Sequence, residues 1–199
     1  MRLVGPGLWE PPADPPRWLA DETRPIVLVT ASTAYQRDDK LIATGLAALA
    51  GEDLAVVVTT AALDPAGFDA PRNARVQRFM PHGPILARAT CVPCHGGQGI
   101  TQKALAAGVP ACVVPFSRDQ FDVARRVELS EAGVRLHHKR LSPARLRRAV
   151  RAATTKRPAA ERIARAFADA GGPAAAATAV EELATARSPS PQEGPCRRS

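Results

Sequence analysis

The residues of this chain that could do chemistry are concentrated in one stretch, "CVPCHGGQG" at positions 91–99. Its first five letters spell C-x-x-C-H, the pattern of c-type haem attachment. The glycines that follow place His95 where a strand turns into a helix, which is a position where phosphate-binding sites are built. The two interpretations need different surroundings, so the flanking sequence decides between them.

Haem, redox and zinc chemistry fit this stretch poorly. A haem needs a second axial ligand and a pocket of large apolar side chains, whereas the chain has 2 methionines and 4% aromatic residues. A redox C-x-x-C usually opens a helix, and this one closes a strand. A zinc site needs more ligands than Cys91, Cys94 and His95 can present, because neighbouring side chains of a strand point to opposite faces. We therefore predict a buried strand that ends in an anion-binding turn, with no metal.

The surrounding sequence alternates short β-branched apolar runs with helical patterns. The run "PIVLVT", the helical segment "DDKLIATGLAALAGED" and the run "LAVVVTT" make a βαβ unit, and the alternation continues to "PACVVP" and beyond. This pattern predicts an α/β fold with a Rossmann-like, doubly wound parallel sheet. We expect a proline-rich lead-in at 1–24, the sheet domain at 25–170, and a C-terminal helix with a disordered tail at 171–199.

Ligands of a doubly wound sheet bind outside the carboxyl ends of its strands. Polar, small and aromatic residues follow four of the predicted strands here: Ser32, then Phe79 and Met80, then His95, Gly97 and Gly99, then Asp119 and Gln120. The glycines allow close approach of an oxyanion to the N-terminus of the next helix, which favours a diphosphate. Phe79 offers either a stacking face or a core side chain. Asp119 either binds sugar hydroxyls or caps a helix.

The formal net charge of +8 admits nucleic acid, an anionic surface or a phosphorylated small molecule as partner. Much of the excess lies at 135–165, where apolar residues recur at helical spacing and no aromatic residues interleave. That pattern favours a solvated helix face over a nucleic-acid patch. The sequence shows no signal peptide and no apolar run of about 18 residues, so we expect a cytoplasmic protein without stable membrane insertion. Cys112 is expected in the core and Cys196 in the tail.

Three stretches, "NARVQRFMPHGPIL", "HGGQGITQKALAAGVP" and "VVPFSRDQFDVARRVE", occur in an order and spacing that resemble a known family. They resemble the nucleotide-sugar-dependent glycosyltransferases of family 1, specifically the C-terminal, donor-binding half of their two-domain GT-B fold. The resemblance covers roughly residues 4–150. It is close to bacterial enzymes that glycosylate antibiotics, other secondary metabolites and glycolipids.

The resemblance implies a role for each matched position. The donor diphosphate would be bound by Ser32, His95, Gly97, Gly99 and Thr101, the base by Phe79 and Met80, and the donor sugar by Asp119 and Gln120. Three positions depart from the family pattern. Ile100 stands where many members have a phosphate-binding serine or threonine, which the adjacent Thr101 would replace. Lys103 stands where plant members have a ribose-binding glutamate, and Ala31 replaces a glycine.

The resemblance also implies inverting transfer of a hexosyl group from a uridine or thymidine diphosphate sugar to a small-molecule or lipid acceptor, without a metal. Family members carry the acceptor pocket and the histidine base in an N-terminal domain, and this sequence starts at the linker. His82, His137 and His138 are not suitably placed as the base that an inverting displacement needs. We therefore expect donor binding but no catalytic base in this chain.

A separately encoded acceptor domain, or self-association, would complete such a protein. Two alternatives remain open from the sequence. The chain could be a non-catalytic nucleotide-sugar-binding or regulatory subunit, or a basic nucleic-acid-binding protein.

Overall fold

The computed structural model of this chain describes residues 1–33 and 38–186. Its strands are Ile26–Thr30 (β1), Ala55–Thr59 (β2), Ala74–Gln77 (β3), Ala89–Cys94 (β4), Ala111–Val113 (β5) and Gly133–Arg135 (β6). Its α-helices are Trp18–Asp21 (α1), Asp39–Leu49 (α2), His82–Leu86 (α3), Gln98–Ala106 (α4), Gln120–Leu129 (α5), Pro143–Thr154 (α6), Arg157–Asp169 (α7) and Gly172–Ala186 (α8).

The strands form one six-stranded sheet in the order β3-β2-β1-β4-β5-β6, and every neighbouring pair is parallel. The central strands β1 and β2 are buried at every position, whereas the edge strands β3 and β6 are partly exposed. Two separate apolar clusters explain this burial, because each covers one face of the sheet. Helices α3, α4, α5 and α7 contribute to one cluster, and α2 and α6 contribute to the other. The doubly wound parallel sheet predicted from the sequence is confirmed.

The cysteines of the C-x-x-C pair lie on opposite faces of the sheet. Cys91 packs in the cluster beneath α2 and α6 together with Cys112, while Cys94 packs in the cluster on the other face. Burial raises the pKa of the Cys94 thiol to about 11 and raises the pKa values of the other two thiols as well. This strand therefore separates its two thiols, as the alternation of side chains requires.

The basic helix α6 turns its apolar side, with Leu146 and Val150, into the core. Its arginines face outward, and two of them are anchored to α2 and the turn after it. Arg147 donates to the Ala48 carbonyl at 2.6 Å, and Arg147 and Arg151 both pair with Glu52, at 3.2 and 2.9 Å. Part of the positive charge predicted for this helix face is thus neutralised within the chain.

The lead-in runs along the outside of the sheet domain. It has no regular secondary structure before α1, and Arg2 pairs with Glu182 of α8 at 3.1 Å. Further along, the Arg88 guanidinium donates to the backbone carbonyls of Leu19 and Glu22 and holds α1 in place. Within the described residues, none of the helices is both long and apolar enough to cross a membrane. The predicted tail with Cys196 lies outside the described residues.

Candidate functional site

The topology of the sheet produces a crevice between β1 and β4. The chain builds the sheet outward from β1 in one direction and from β4 in the other, so the loops after these strands leave to opposite sides. In open parallel sheets ligands bind at this switch point. A cavity of about 800 Å³ opens there at the carboxyl ends of β1, β2 and β4, a volume ordinary for a small-molecule site.

Seven of the predicted site residues line this one cavity: Ser32, Phe79, His95, Gly97, Gly99, Asp119 and Gln120. Two do not. Met80 is 1% exposed and packs in the apolar cluster with α3 and α4. Thr101 is 3% exposed on the inner side of α4, where its Oγ1 lies 3.9 Å from Cys94 Sγ. Their side chains therefore support the site from within the core.

The turn from β4 into α4 depends on glycine. Gly96 has φ +93°, and a Cβ there would lie 2.7 Å from Val113 Cγ1. Gly97 is the N-cap, and a Cβ on it would overlap the His95 imidazole. Gly99 has open space around its Cα on the cavity side. No other residue type fits at position 96 without rearrangement.

This turn aims the N-terminus of α4 into the cavity. The first backbone bond of the helix runs from Thr101 N to Gly97 O at 3.1 Å, so the N–H groups of residues 98–100 precede the helical ladder. Residues 98, 99 and 100 all line the cavity. Their N–H groups and the positive end of the helix dipole make this surface suited to an anion.

His95 lies beside these N–H groups, 7% exposed. Burial lowers its pKa, although the Asp38 carboxylate, the Thr30 carbonyl and the Asp119 carboxylate act in the opposite direction. Its Nδ1 is buried and has no hydrogen-bond partner within the described part of the chain. The His95 side chain lines the cavity, which places the imidazole beside an anion bound at the helix N-terminus.

A row of polar side chains forms the floor of the cavity at the ends of β1 and β2. Thr59 Oγ1 lies 2.8 Å from Thr30 Oγ1 and 3.0 Å from His82 Nε2. Burial lowers the pKa of His82. Behind this row, the buried Asp38 carboxylate accepts the backbone N–H of Ser32 and holds the loop after β1. Thr59 was not among the residues predicted, although the strand-end rule applies to β2 as much as to the strands inspected.

The loop between β5 and α5 presents Asp119 and Gln120. Gln120 Oε1 accepts from the backbone N–H groups of Phe116 and Ser117 at 2.8 and 3.1 Å, so the side chain holds its own loop in shape. Asp119 occupies the N-cap position of α5, yet its carboxylate makes no capping bond and faces the cavity. Phe79 is 55% exposed. The structure thus excludes side-chain capping for Asp119 and a core position for Phe79.

The lead-in contributes three cavity residues that the sequence patterns did not indicate, namely Trp9, Glu10 and Pro11. The Glu10 carboxylate accepts from the N–H groups of His82 and Gly83 at 2.9 and 2.8 Å and pairs with Lys103 at 3.2 Å. One feature of the sequence could have indicated them: a tryptophan next to a carboxylate in a proline-rich segment, within a chain poor in aromatic residues.

Among residues 1–33 and 38–186, no three His, Cys, Asp or Glu side chains are grouped so that they could hold a metal ion. Donors suited to an anion line the cavity at the N-terminus of α4 and at His95, and the carboxylates of Glu10 and Asp119 line it as well.

Comparison with known proteins places this geometry in a family. The chain is 42% identical to 4'-demethylrebeccamycin synthase of Lentzea aerocolonigenes over 159 residues, covering 76% of this chain and 37% of that protein. It is 35% identical to a PGL/p-HBAD biosynthesis glycosyltransferase of Mycobacterium tuberculosis, covering 83% of this chain and 39% of that protein. The chain therefore spans less than half the length of these relatives.

Solved structures give the same result for the fold. The calicheamicin glycosyltransferase CalG4 superposes with a TM-score of 0.83 and 31% identity, over 94% of this chain and 48% of that one. The glycosyltransferase VinC in complex with DTDP gives 0.75 and 29%, over 88% of this chain and 45% of that one. The resemblance to antibiotic and glycolipid glycosyltransferases, and to one half of their GT-B fold, is confirmed.

The family model described as erythromycin biosynthesis protein CIII-like, C-terminal domain, matches residues 43–192. That match runs from α2 across the rest of the described sheet and helices. It includes the β4–α4 turn and the loop before α5, which line the cavity. By this match, the chain belongs to the family of erythromycin biosynthesis protein CIII-like C-terminal domains.

Proposed function

We propose that this chain is the donor-binding half of an inverting glycosyltransferase and binds a uridine or thymidine diphosphate sugar. The observation that carries the proposal is the N-terminus of α4 aimed into the switch-point cavity beside His95. That arrangement offers backbone N–H groups, a helix dipole and an imidazole to one anion. These are the groups that bind a diphosphate.

In this proposal the diphosphate lies between the β4–α4 turn and the loop after β1. The backbone at Gly97 and Gly99 donates to phosphate oxygens, and Gly99 leaves room for close approach. His95 donates one further hydrogen bond, and the Ser32 hydroxyl approaches from the opposite side of the crevice. Because these donors offset the phosphate charge, binding requires no metal ion.

The base and the sugar occupy the two ends of the same cavity. Phe79 is exposed where a base could stack on its ring, and stacking of this kind is tolerant of base identity. At the other end the Asp119 carboxylate accepts hydrogen bonds from sugar hydroxyls, and Gln120 holds the loop that positions it. Met80 and Thr101 contribute through packing beneath the site.

We propose that sugar transfer needs groups beyond those described here. The relatives that the chain matches are more than twice as long as the matched part, and their further length offers room for an acceptor pocket and a base. Such a half acts either with a separate acceptor domain or in a larger polypeptide, in the cytoplasm. The complex of VinC with DTDP favours a thymidine diphosphate sugar as donor.

Calorimetric titration of the purified chain with UDP and TDP, in EDTA and again with Mg²⁺, tests this proposal. We expect saturable binding of at least one nucleoside diphosphate, of equal affinity in both buffers. A chain that is folded by circular dichroism yet binds neither compound would refute the proposal. Parallel titration with duplex DNA at several salt concentrations tests the nucleic-acid alternative, which requires steep salt dependence.

A further inference from the structure

One wall of the cavity is an aromatic side chain of the lead-in that is largely exposed. Trp9 is 75% exposed and lines the cavity together with Phe79. The other tryptophan, Trp18, packs against the apolar core, with the Arg75 guanidinium 4.8 Å from its ring centroid. At the edge of a cavity, a large exposed aromatic ring offers a stacking face to a ligand.

Glu10 fixes the backbone next to Trp9 relative to the rest of the site. Its two carboxylate oxygens accept from the N–H groups at the start of α3, at 2.9 and 2.8 Å, and one of them pairs with Lys103 of α4 at 3.2 Å. Hydrogen bonds of a carboxylate to N–H groups and to an ammonium are among the strong ones. One side chain therefore joins three segments of the chain: the lead-in, the start of α3, and α4.

The pKa of Glu10 agrees with this geometry. Burial acts to raise it, but the N–H groups of Gly83 and His82 and the Lys103 ammonium outweigh burial, so the pKa lies below its usual value. Glu10 is therefore ionised at neutral pH. Its charge also compensates that of Lys103 at the edge of the cavity.

We infer that Glu10 is a positioning residue that clamps the lead-in across the donor cavity, and that Trp9 thereby contacts the base of the bound nucleoside diphosphate opposite Phe79. This inference rests on the proposed function, since it names a further part of the same donor site. In this inference the lead-in forms one wall of the donor site. Trp9 contributes to the affinity for the nucleoside and not to that for the phosphates.

The intrinsic fluorescence of Trp9 reports this contact directly. In a Trp18→Phe variant, Trp9 is the one tryptophan of the chain, and stacking of a base on its ring changes its emission. We expect TDP to quench this emission saturably and inorganic pyrophosphate to leave it unchanged. A Trp9→Phe variant, which retains Trp18 alone, should show no such quenching.

Affinities of Trp9→Ala separate the base from the phosphates. Loss of one stacking partner should weaken TDP binding by about tenfold and leave pyrophosphate competition unaltered. Glu10→Gln should also weaken TDP binding, because an amide cannot accept from both N–H groups and from Lys103. It should reduce the quenching of Trp9 as well, which a purely structural role would not require. Glu182→Gln, which removes the paired carboxylate that Arg2 of the lead-in contacts outside the cavity, is the matched control and should bind normally.

The outcomes separate this inference from the proposed function. If the parent chain binds TDP and Trp9→Ala binds it equally well, or if TDP leaves Trp9 emission unchanged, the inference is wrong and the donor site stands. If the parent chain binds no nucleoside diphosphate, the proposed function and the inference fail together.

Discussion

Gly96 and Gly99, three residues apart in the same turn, should respond to alanine in opposite ways. At Gly96 the added methyl meets Val113 Cγ1 at 2.7 Å and Gln120 O at 3.2 Å, on a backbone with φ +93°. The left-handed backbone costs about 1–2 kcal/mol, and overpacking of a tight core costs about 1–3 kcal/mol. We therefore expect Gly96→Ala to lower the free energy of unfolding by about 2–5 kcal/mol.

Gly99 is the control within the same turn. Nothing lies within 4 Å of a Cβ built there, and alanine is a better helix former than glycine. In the first turn of α4, Gly99→Ala should therefore leave stability unchanged or raise it by about 0.5 kcal/mol. Its methyl would, however, occupy the cavity where a phosphate approaches the backbone. Loss of one hydrogen bond to a charged group, about 1.5–3 kcal/mol, predicts TDP binding weakened by roughly 10–100-fold.

Urea unfolding followed by circular dichroism gives the stabilities, and calorimetric titration with TDP gives the affinities. We expect Gly96→Ala to lose stability, and Gly99→Ala to lose affinity for TDP without losing stability. Normal TDP binding by Gly99→Ala would refute the placement of the diphosphate on this helix N-terminus. Full stability of Gly96→Ala would refute the geometry of the turn.

Three further predictions follow from buried ionisable groups. The Arg24 guanidinium lowers the pKa of Glu22 to about 2. Glu22→Gln should therefore destabilise the protein by about 1–2 kcal/mol at neutral pH, which is less than the pKa shift alone implies because the part-exposed arginine is screened by solvent. That difference in urea unfolding should be complete above pH 4.5 and shrink as the pH falls toward 2. In a Cys196→Ser variant, the three buried cysteines should resist a thiol reagent at pH 8 until the protein unfolds, and rapid labelling in the native state would contradict their burial. Burial lowers the pKa of His95, and a bound anion should raise it. Proton uptake by His95 should therefore offset part of any loss of TDP affinity between pH 7.5 and 5.5, so affinity should decline less in the parent chain than in His95→Gln. Parallel pH profiles would show that His95 does not touch the diphosphate.

The fold was predictable because each element carries its own period. Valine-rich runs such as 55–59 are buried on both faces in the structure, and uninterrupted apolar runs are the signature of parallel sheets. The helix starting points followed from glycine and proline, as at Gly97 and Pro143. The parallel direction of the strands then follows from the intervening helices, because parallel neighbours need a crossover connection of this kind.

The candidate site was predictable where it follows strand ends, and less so elsewhere. Ser32, His95 and Asp119 lie at one cavity because all carboxyl ends of a parallel sheet lie at one edge. That rule does not give the direction of a side chain. It therefore could not show that Met80 and Thr101 are buried beneath the cavity.

The contacts that the lead-in makes with the site could not be read from local sequence. The contact between Glu10 and the N-terminus of α3 joins residues more than 70 positions apart. No periodicity or spacing reports a pairing of that kind, since it depends on how an extended segment is laid across a folded domain.

The measurement that tests the donor site most directly is calorimetric titration with TDP on the parent chain and on His95→Ala. Removal of the buried imidazole, whose Nδ1 has no partner among the described residues, should weaken binding by about tenfold or more while the far-UV spectrum stays unchanged. Equal affinity in the two folded proteins would contradict the assignment of the diphosphate to the β4–α4 turn.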